Sequence, residues 1–270
     1  MQNVFITGAS SGLGAALARN LAASGRTLGL VARNAERLGA VAQAAQACGA
    51  KVDQGLADIT DEPAIRAFVD DFDHRSPIDL AIINAGIFDG RRADEPIEPL
   101  ETSLRVLDVN LVGALNTLHA VLPGMRQRKR GHIVIISSLA GLTPIGGGLG
   151  YSASKAALVS YGLGLKQLLH AEGVKVSVVC PGFVDTPITA RHMGWQPFRI
   201  TADEAAAKIM RGVTRGHALI AFPLPLHIMT RTAILMPDVV RRVVGRVFAC
   251  HVGGEAAAET SRTPMPQPAE

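Results

Sequence analysis

Tyr151 and Lys155 stand four residues apart in the run Tyr151-Ser152-Ala153-Ser154-Lys155. On a helix that spacing puts both side chains on one face, about one turn from each other. A phenol holds its proton until about pH 10. An ammonium beside it favours the phenolate, which brings proton exchange toward neutral pH. A surface tyrosine and a solvated lysine would give the same letters, so the pair acquires meaning only from what surrounds it. Ala153, Ala156, Ala157, Gly162 and Gly164 flank it and would let that face lie close against other backbone.

A second cluster lies near the start of the chain. Val4-Phe5-Ile6 is apolar and predicts a buried strand. Thr7-Gly8-Ala9-Ser10-Ser11-Gly12-Leu13-Gly14 follows, then a helical stretch over 15–23 closed by Gly25. Between a strand and a helix these glycines have distinct jobs. Gly8 permits the tight turn, Gly12 leaves room for a pyrophosphate, and Gly14 lets helix and strand pack closely. The helix N-terminus offers free N–H groups and partial positive charge to phosphates. Gly8, Ser10, Ser11, Gly12, Leu13 and Gly14 are therefore candidate cofactor contacts. A glycine turn with no ligand is the plain alternative.

The spacing GxxxGxG resembles the short-chain dehydrogenase/reductase family, whose first loop reads TGxxxGxG. Three further segments carry the resemblance, in order along the chain. Asn84-Ala85-Gly86 matches the family's NAG, Ser138 precedes Tyr151 by thirteen residues, and Pro181-Gly182-Phe183-Val184-Asp185-Thr186 matches PGxxxT. The resemblance spans residues 1–222. It implies a nicotinamide-dependent oxidoreductase of the compact branch, acting on a carbonyl or alcohol carbon. Ser138 would hold the substrate oxygen, with Ser137 as the neighbour that could be mistaken for it. Tyr151 would exchange the proton, and Lys155 would acidify the phenol and bind the nicotinamide ribose. Asn110 would interrupt its helix and hold a water linked to Lys155. Asp58 would hold the adenine amino group, Asn84 the central sheet, and Asn84, Ala85 and Gly86 would border the adenosine half. Pro181, Gly182, Val184 and Thr186 would fix the nicotinamide amide. Read without the family, Asp58 could cap a helix, a job that Asp61 can also take. Asn110 could be a satisfied core amide.

The second strand, 27–32, ends in Ala32-Arg33, where a dinucleotide site usually carries an acid for the ribose hydroxyls. An acid repels a 2′-phosphate, whereas an arginine can clamp one. This predicts NADP(H) over NAD(H), unless Arg33 only ends a strand in solvent.

Strands and helices alternate from end to end, which predicts a doubly wound, parallel, seven-stranded α/β sheet of Rossmann type with helices on both faces. Expected strands are 4–6, 27–32, 51–55, 78–83, 132–136, 174–180 and 218–222. Expected helices include 34–48, 63–72, 100–122, 150–171 and 202–214. Residues 88–99 are polar with prolines and read as an exposed loop. Residues 143–150, rich in glycine, read as a flexible substrate mouth. Residues 188–200, with Met193, Trp195 and Phe198, read as an apolar lid. Cys180 reads as a small core residue. One domain over 1–252 is expected, with a helical extension over 224–250 and a disordered tail over 253–270.

Bulk properties exclude other classes. The formal charge is +4 (27 basic, 23 acidic), with no basic stripe interleaved with aromatics, so nucleic acid is not an expected partner. Three scattered cysteines and no HxxxH or HExxH predict neither disulfides nor a metal. Met1-Gln2 leads into an apolar strand with no signal-peptide pattern, and a cytoplasmic homodimer or homotetramer is expected. The extension 224–250 carries Arg231, Arg241, Arg242 and Arg246 among apolar residues. It either covers the substrate cleft and builds an oligomer interface, or lies on a membrane surface. Two rival functions share parts of the pattern: a nucleotide-sugar epimerase or dehydratase, and an NADP-sensing module without turnover.

Overall fold

The apolar runs line up as one parallel sheet. A computed structural model describes residues 1–233, 236–237, 239, 245 and 248–253. Its strands in chain order are β1 (Asn3–Thr7), β2 (Thr27–Ala32), β3 (Lys51–Leu56), β4 (Leu80–Ile83), β5 (Gly131–Ile136), β6 (Val174–Pro181), β7 (Val184–Asp185), β8 (His192–Met193), β9 (Ile200–Thr201), β10 (Leu219–Phe222) and β11 (His251–Val252). Seven of them form the main sheet in the order β10-β6-β5-β4-β1-β2-β3. β1 has β2 on one side and β4 on the other, so the winding reverses there. Ligands of such sheets bind outside the strands' carboxyl ends at that reversal.

Successive side chains of a strand point to opposite faces. Val4, Ile6, Leu80 and Ile82 pack on one face, and Phe5, Ala81 and Ile83 on the other. Both faces are buried, which is why these strands read as unbroken apolar runs. Helices α1 (Gly12–Leu21), α2 (Ala35–Ala47) and α8 (Ala202–Thr214) cover the first face. Helices α3 (Glu62–Arg75), α5 (Gly113–Gln127) and α6 (Leu149–Leu169) cover the second. Further helices are α4 (Leu100–Leu107), α7 (Pro187–Ala190) and α9 (Leu224–Thr232).

Local chemistry sets the ends. Asn34 and Asp61 cap α2 and α3 through their side chains. Thr201 and Glu204 form a reciprocal capping box on α8, the reason this helix starts where the sequence places it. The expected helix over 100–122 is longer and not continuous: a π-turn, Asp108–Val112, separates α4 from α5.

Two expectations fail in part. Residues 88–99 contain no helix or strand, and Ala93, Asp94, Pro96, Ile97 and Pro99 are exposed as expected, but Phe88, Asp89 and Glu98 are buried. Gly253, assigned to the tail, is also buried. Its N–H donates to Arg191 O at 2.9 Å, and its carbonyl accepts from Arg92 Nη1 at 3.1 Å. β11 pairs antiparallel with β8, so residues 251–253 clasp the lid. The rest of the expected tail, 254–270, and most of the extension beyond 233 lie outside the described residues.

His132 on β5 gives the fold an acid limit. Ser177 Oγ donates to His217 O at 2.6 Å, so His132 Nε2–H donates to Ser177 Oγ at 2.9 Å. Burial, with help from Lys175, lowers the imidazole from its ordinary 6.5 to about 4. The unfolded chain takes a proton that the folded chain refuses, so stability falls as pH drops from 6.5 to about 4. The loss should be about 3 kcal/mol. Urea unfolding across that range should show it in the parent and not in His132→Gln.

Candidate active site

The carboxyl ends of β1, β2, β4, β5 and β6 border a crevice of about 470 Å³. Every residue proposed from sequence for the cofactor lines it: the glycine loop, Arg33 and Asp58, Asn84 to Gly86, and Pro181, Gly182, Val184 and Thr186. Tyr151, Lys155 and Ser138 line its inner end. Asn110 stands behind it.

The glycine loop is held open by geometry that a side chain would destroy. Gly8 and Gly12 have φ of +68° and +52°, the region that favours glycine. A Cβ on Gly8 would lie 2.7 Å from Ala85 Cα. Ser11 precedes α1 without forming a side-chain cap. Asn84 ties the loop to the sheet, donating from Nδ2 to Thr7 O at 3.0 Å and from its backbone N–H to Thr7 Oγ1 at 3.1 Å. A cradle of this shape, at a helix N-terminus, suits a pyrophosphate.

At the far end Asp58 and Asp61 divide their jobs. Asp61 caps α3, while Asp58 accepts from Thr60 N and Oγ1 and from Arg33 Nη1 at 3.2 Å. Burial opposes the Asp58 charge, but these bonds hold its carboxyl below the ordinary range. Arg33 is thus paired within the protein, yet a guanidinium has five donors and Asp58 takes one of them. Arg37, one turn into α2, also lines the crevice. The sequence reading missed it because it looks like helix surface. Its spacing of four from Arg33 was the available signal.

α6 carries the Tyr151 and Lys155 pair. Lys155 Nζ lies 5.7 Å from the centroid of the Tyr151 ring and donates to Ile136 O at 3.1 Å. Burial lowers the ammonium to about 8. The phenol does not behave as expected: burial raises it, and it is the Ser138 hydroxyl, not Lys155, that partly offsets the rise. Desolvation sets the direction here. Phe88 meets the Tyr151 ring edge-on at 5.0 Å and fixes its plane. The two serines have separate roles. Ser137 Oγ donates to Lys155 O at 2.7 Å, whereas Ser138 faces the phenol. Cys180 is fully buried nearby, and burial pushes its thiol up to about 11, so it is no nucleophile at neutral pH.

Asn110 sits in the π-turn with its amide satisfied: Oδ1 accepts from Ile87 N at 2.7 Å, and Nδ2 donates to Ile87 O at 2.9 Å. π-turns concentrate at functional sites. A Cβ on Gly86 would lie 2.9 Å from Asn110 Oδ1 and 3.5 Å from Lys155 Nζ, so these three converge.

Sequence reading gave no sign of Glu98. Its carboxylate accepts from Leu149 N at 2.5 Å, Gly150 N at 3.0 Å and Ser103 Oγ at 2.6 Å. It therefore caps α6 two residues before Tyr151, from a loop 51 positions away. Removing the carboxylate strands two N–H groups at about 1–3 kcal/mol and frees the first turn. We expect Glu98→Ala to lower kcat by about ten- to a hundredfold, with nucleotide affinity kept. An unchanged kcat would restrict Glu98 to stability. The expected flexible mouth, 143–150, is pinned as well: Gly147 O accepts from Arg91 N at 3.0 Å, and a Cβ on Gly147 would collide with Cys250.

The family model for short chain dehydrogenase matches residues 2–197. The chain belongs to that family. It is therefore an oxidoreductase of the short-chain dehydrogenase family. An uncharacterized oxidoreductase of Myxococcus xanthus is 37% identical over 238 residues, 88% of this chain and 93% of its own. A short-chain dehydrogenase from Sphingobium yanoikuyae, solved in complex with NADPH, superposes with a TM-score of 0.74 at 28% identity, covering 100% of this chain and 99% of its own. One from Mycobacterium paratuberculosis, solved bound to NAD, gives 0.72 at 23% identity over 82% and 95%, a likeness of fold.

A second cavity of about 450 Å³ opens from the inner end of the crevice and shares Ser138, Tyr151 and Gly182 with it. Leu226 and Met229 of α9 wall it, so the first part of the extension covers the cleft. The lid contributes Ile188, Thr189 and His192, while Trp195 stays exposed against Phe248 at 5.2 Å.

Proposed function

We propose that this dehydrogenase reduces a carbonyl on a partly apolar substrate with NADPH. One observation carries the reading: Ser138 and Tyr151 stand where the glycine-lined crevice meets the apolar cavity. NADPH would supply hydride from one side of that junction, with its pyrophosphate over Gly12 and its nicotinamide against Pro181, Gly182 and Thr186. Ser138 would donate to the carbonyl oxygen and orient it. Tyr151 would give that oxygen its proton. A buried phenol with a raised pKa is protonated at neutral pH, the form reduction requires. Lys155 would keep positive charge next to the phenol and return protons to it, with Asn110 fixing the backbone that borders the relay.

Arg33 and Arg37 favour NADPH because they line that end of the crevice and can neutralise a 2′-phosphate there. Initial rates with each cofactor test this. NADPH should be preferred at least about tenfold, and Arg33→Ala with Arg37→Ala should raise its KM about ten- to a hundredfold with little change for NADH. A tenfold preference for NADH in the parent would sink the assignment.

A further inference from the structure

Resting on the reductase reading, we infer that the second cavity selects an uncharged ketone and binds its apolar part against α9. The cavity's described lining holds Leu139, Leu142, Ile145, Phe183, Leu226 and Met229. Among the described residues only two lining groups are ionisable, Tyr151 and His192. Burial raises the first and lowers the second, so both are neutral near pH 7. Among the described residues, the arginines nearest the cavity are directed elsewhere. Arg191, though on the lid, turns to the buried carboxylate of Asp89 at 3.3 Å, which also takes Arg92 and Arg105. Arg231 on α9 is exposed and does not line the cavity. A carboxylate or phosphate carried into this space would lose its water and find no counter-ion among the described residues, which is costly. Each methylene placed there leaves water for an apolar wall and gains affinity. Phosphorylated sugars and short oxo acids are thus disfavoured as substrates, and neutral ketones with an apolar chain are favoured.

The test uses the full chain with NADPH and unbranched methyl ketones from butanone to dodecanone. Trp195, the only tryptophan, packs on Phe248 of the cavity wall and reports binding by fluorescence without turnover. We expect kcat/KM and fluorescence affinity to rise together by about fourfold per methylene until the cavity is filled. An oxo acid with its carboxylate two methylenes from the ketone should be at least about a hundredfold worse than its methyl ester. Met229→Asp should erase the chain-length gain and Met229→Trp should end the series earlier, both with unchanged NADPH affinity. Turnover with no dependence on chain length, or equal use of acid and ester, would overturn the inference and leave the reductase reading standing. Graded binding without turnover of any ketone would support the cavity's selectivity and refute the reductase instead.

Discussion

Tyr151→Phe should lower kcat by about a hundredfold to ten-thousandfold while NADPH affinity and stability stay unchanged. The substitution removes one oxygen. The ring keeps its edge-on contact with Phe88 at 5.0 Å, so no cavity opens and α6 holds its register. Ser138 still orients the carbonyl, but the groups left are poorly placed to give the proton: Lys155 Nζ stands 5.7 Å from the ring centroid and donates to Ile136 O, and the buried thiol of Cys180 keeps its proton up to about 11. Tyr151 thus has no well-placed substitute among them. The parent's pH profile adds a second sign. With the phenol raised and Lys155 lowered to about 8, reduction should be level through neutral pH and decline as Lys155 loses its charge above about 8. Full activity in Tyr151→Phe would leave only a nucleotide holder.

What the sequence could reveal depends on whether a partner is near in the chain. β2 and α8 fall where the letters place them because their signals are local: the turn at Gly25 and the Asn34 cap around one, the Thr201 and Glu204 box on the other. The glycines, and Tyr151 with Lys155, were legible as spacings within one loop or helix, and Ser138 only through the family resemblance, thirteen residues before Tyr151. Asp89 and Glu98 were not. They lie in a polar, proline-bearing run indistinguishable from a solvated loop, and what buries them comes from elsewhere: arginines on α4 and the lid for Asp89, the first N–H groups of α6 for Glu98. The direction of the Tyr151 shift escaped for a related reason. A lysine can be counted in a sequence, but the desolvation that raises the phenol is a property of the assembled walls.

The same contrast between letters and surroundings gives two glycine substitutions opposite outcomes. Gly14 and Gly164 both sit inside helices, where alanine is intrinsically favoured by about 1 kcal/mol. Around Gly164 nothing lies within 4 Å of an added Cβ, and the position is exposed. Gly164→Ala should therefore stabilise the fold by up to about 1 kcal/mol and leave activity alone. At Gly14 a Cβ would overlap Gly8 O and lie 2.6 Å from Asn84 Nδ2. These are backbone of the phosphate loop and the side chain that anchors it, so neither can yield by a rotamer change. The helix must move away from the strand, and the N–H groups at the start of α1 lose their convergence on the pyrophosphate site. Gly14→Ala should cost about 1–3 kcal/mol of stability and weaken NADPH at least about a hundredfold, in calorimetric titration and thermal melts. If NADPH binding survives Gly14→Ala, the loop is more yielding than this packing allows, and its glycines are not what positions the phosphates.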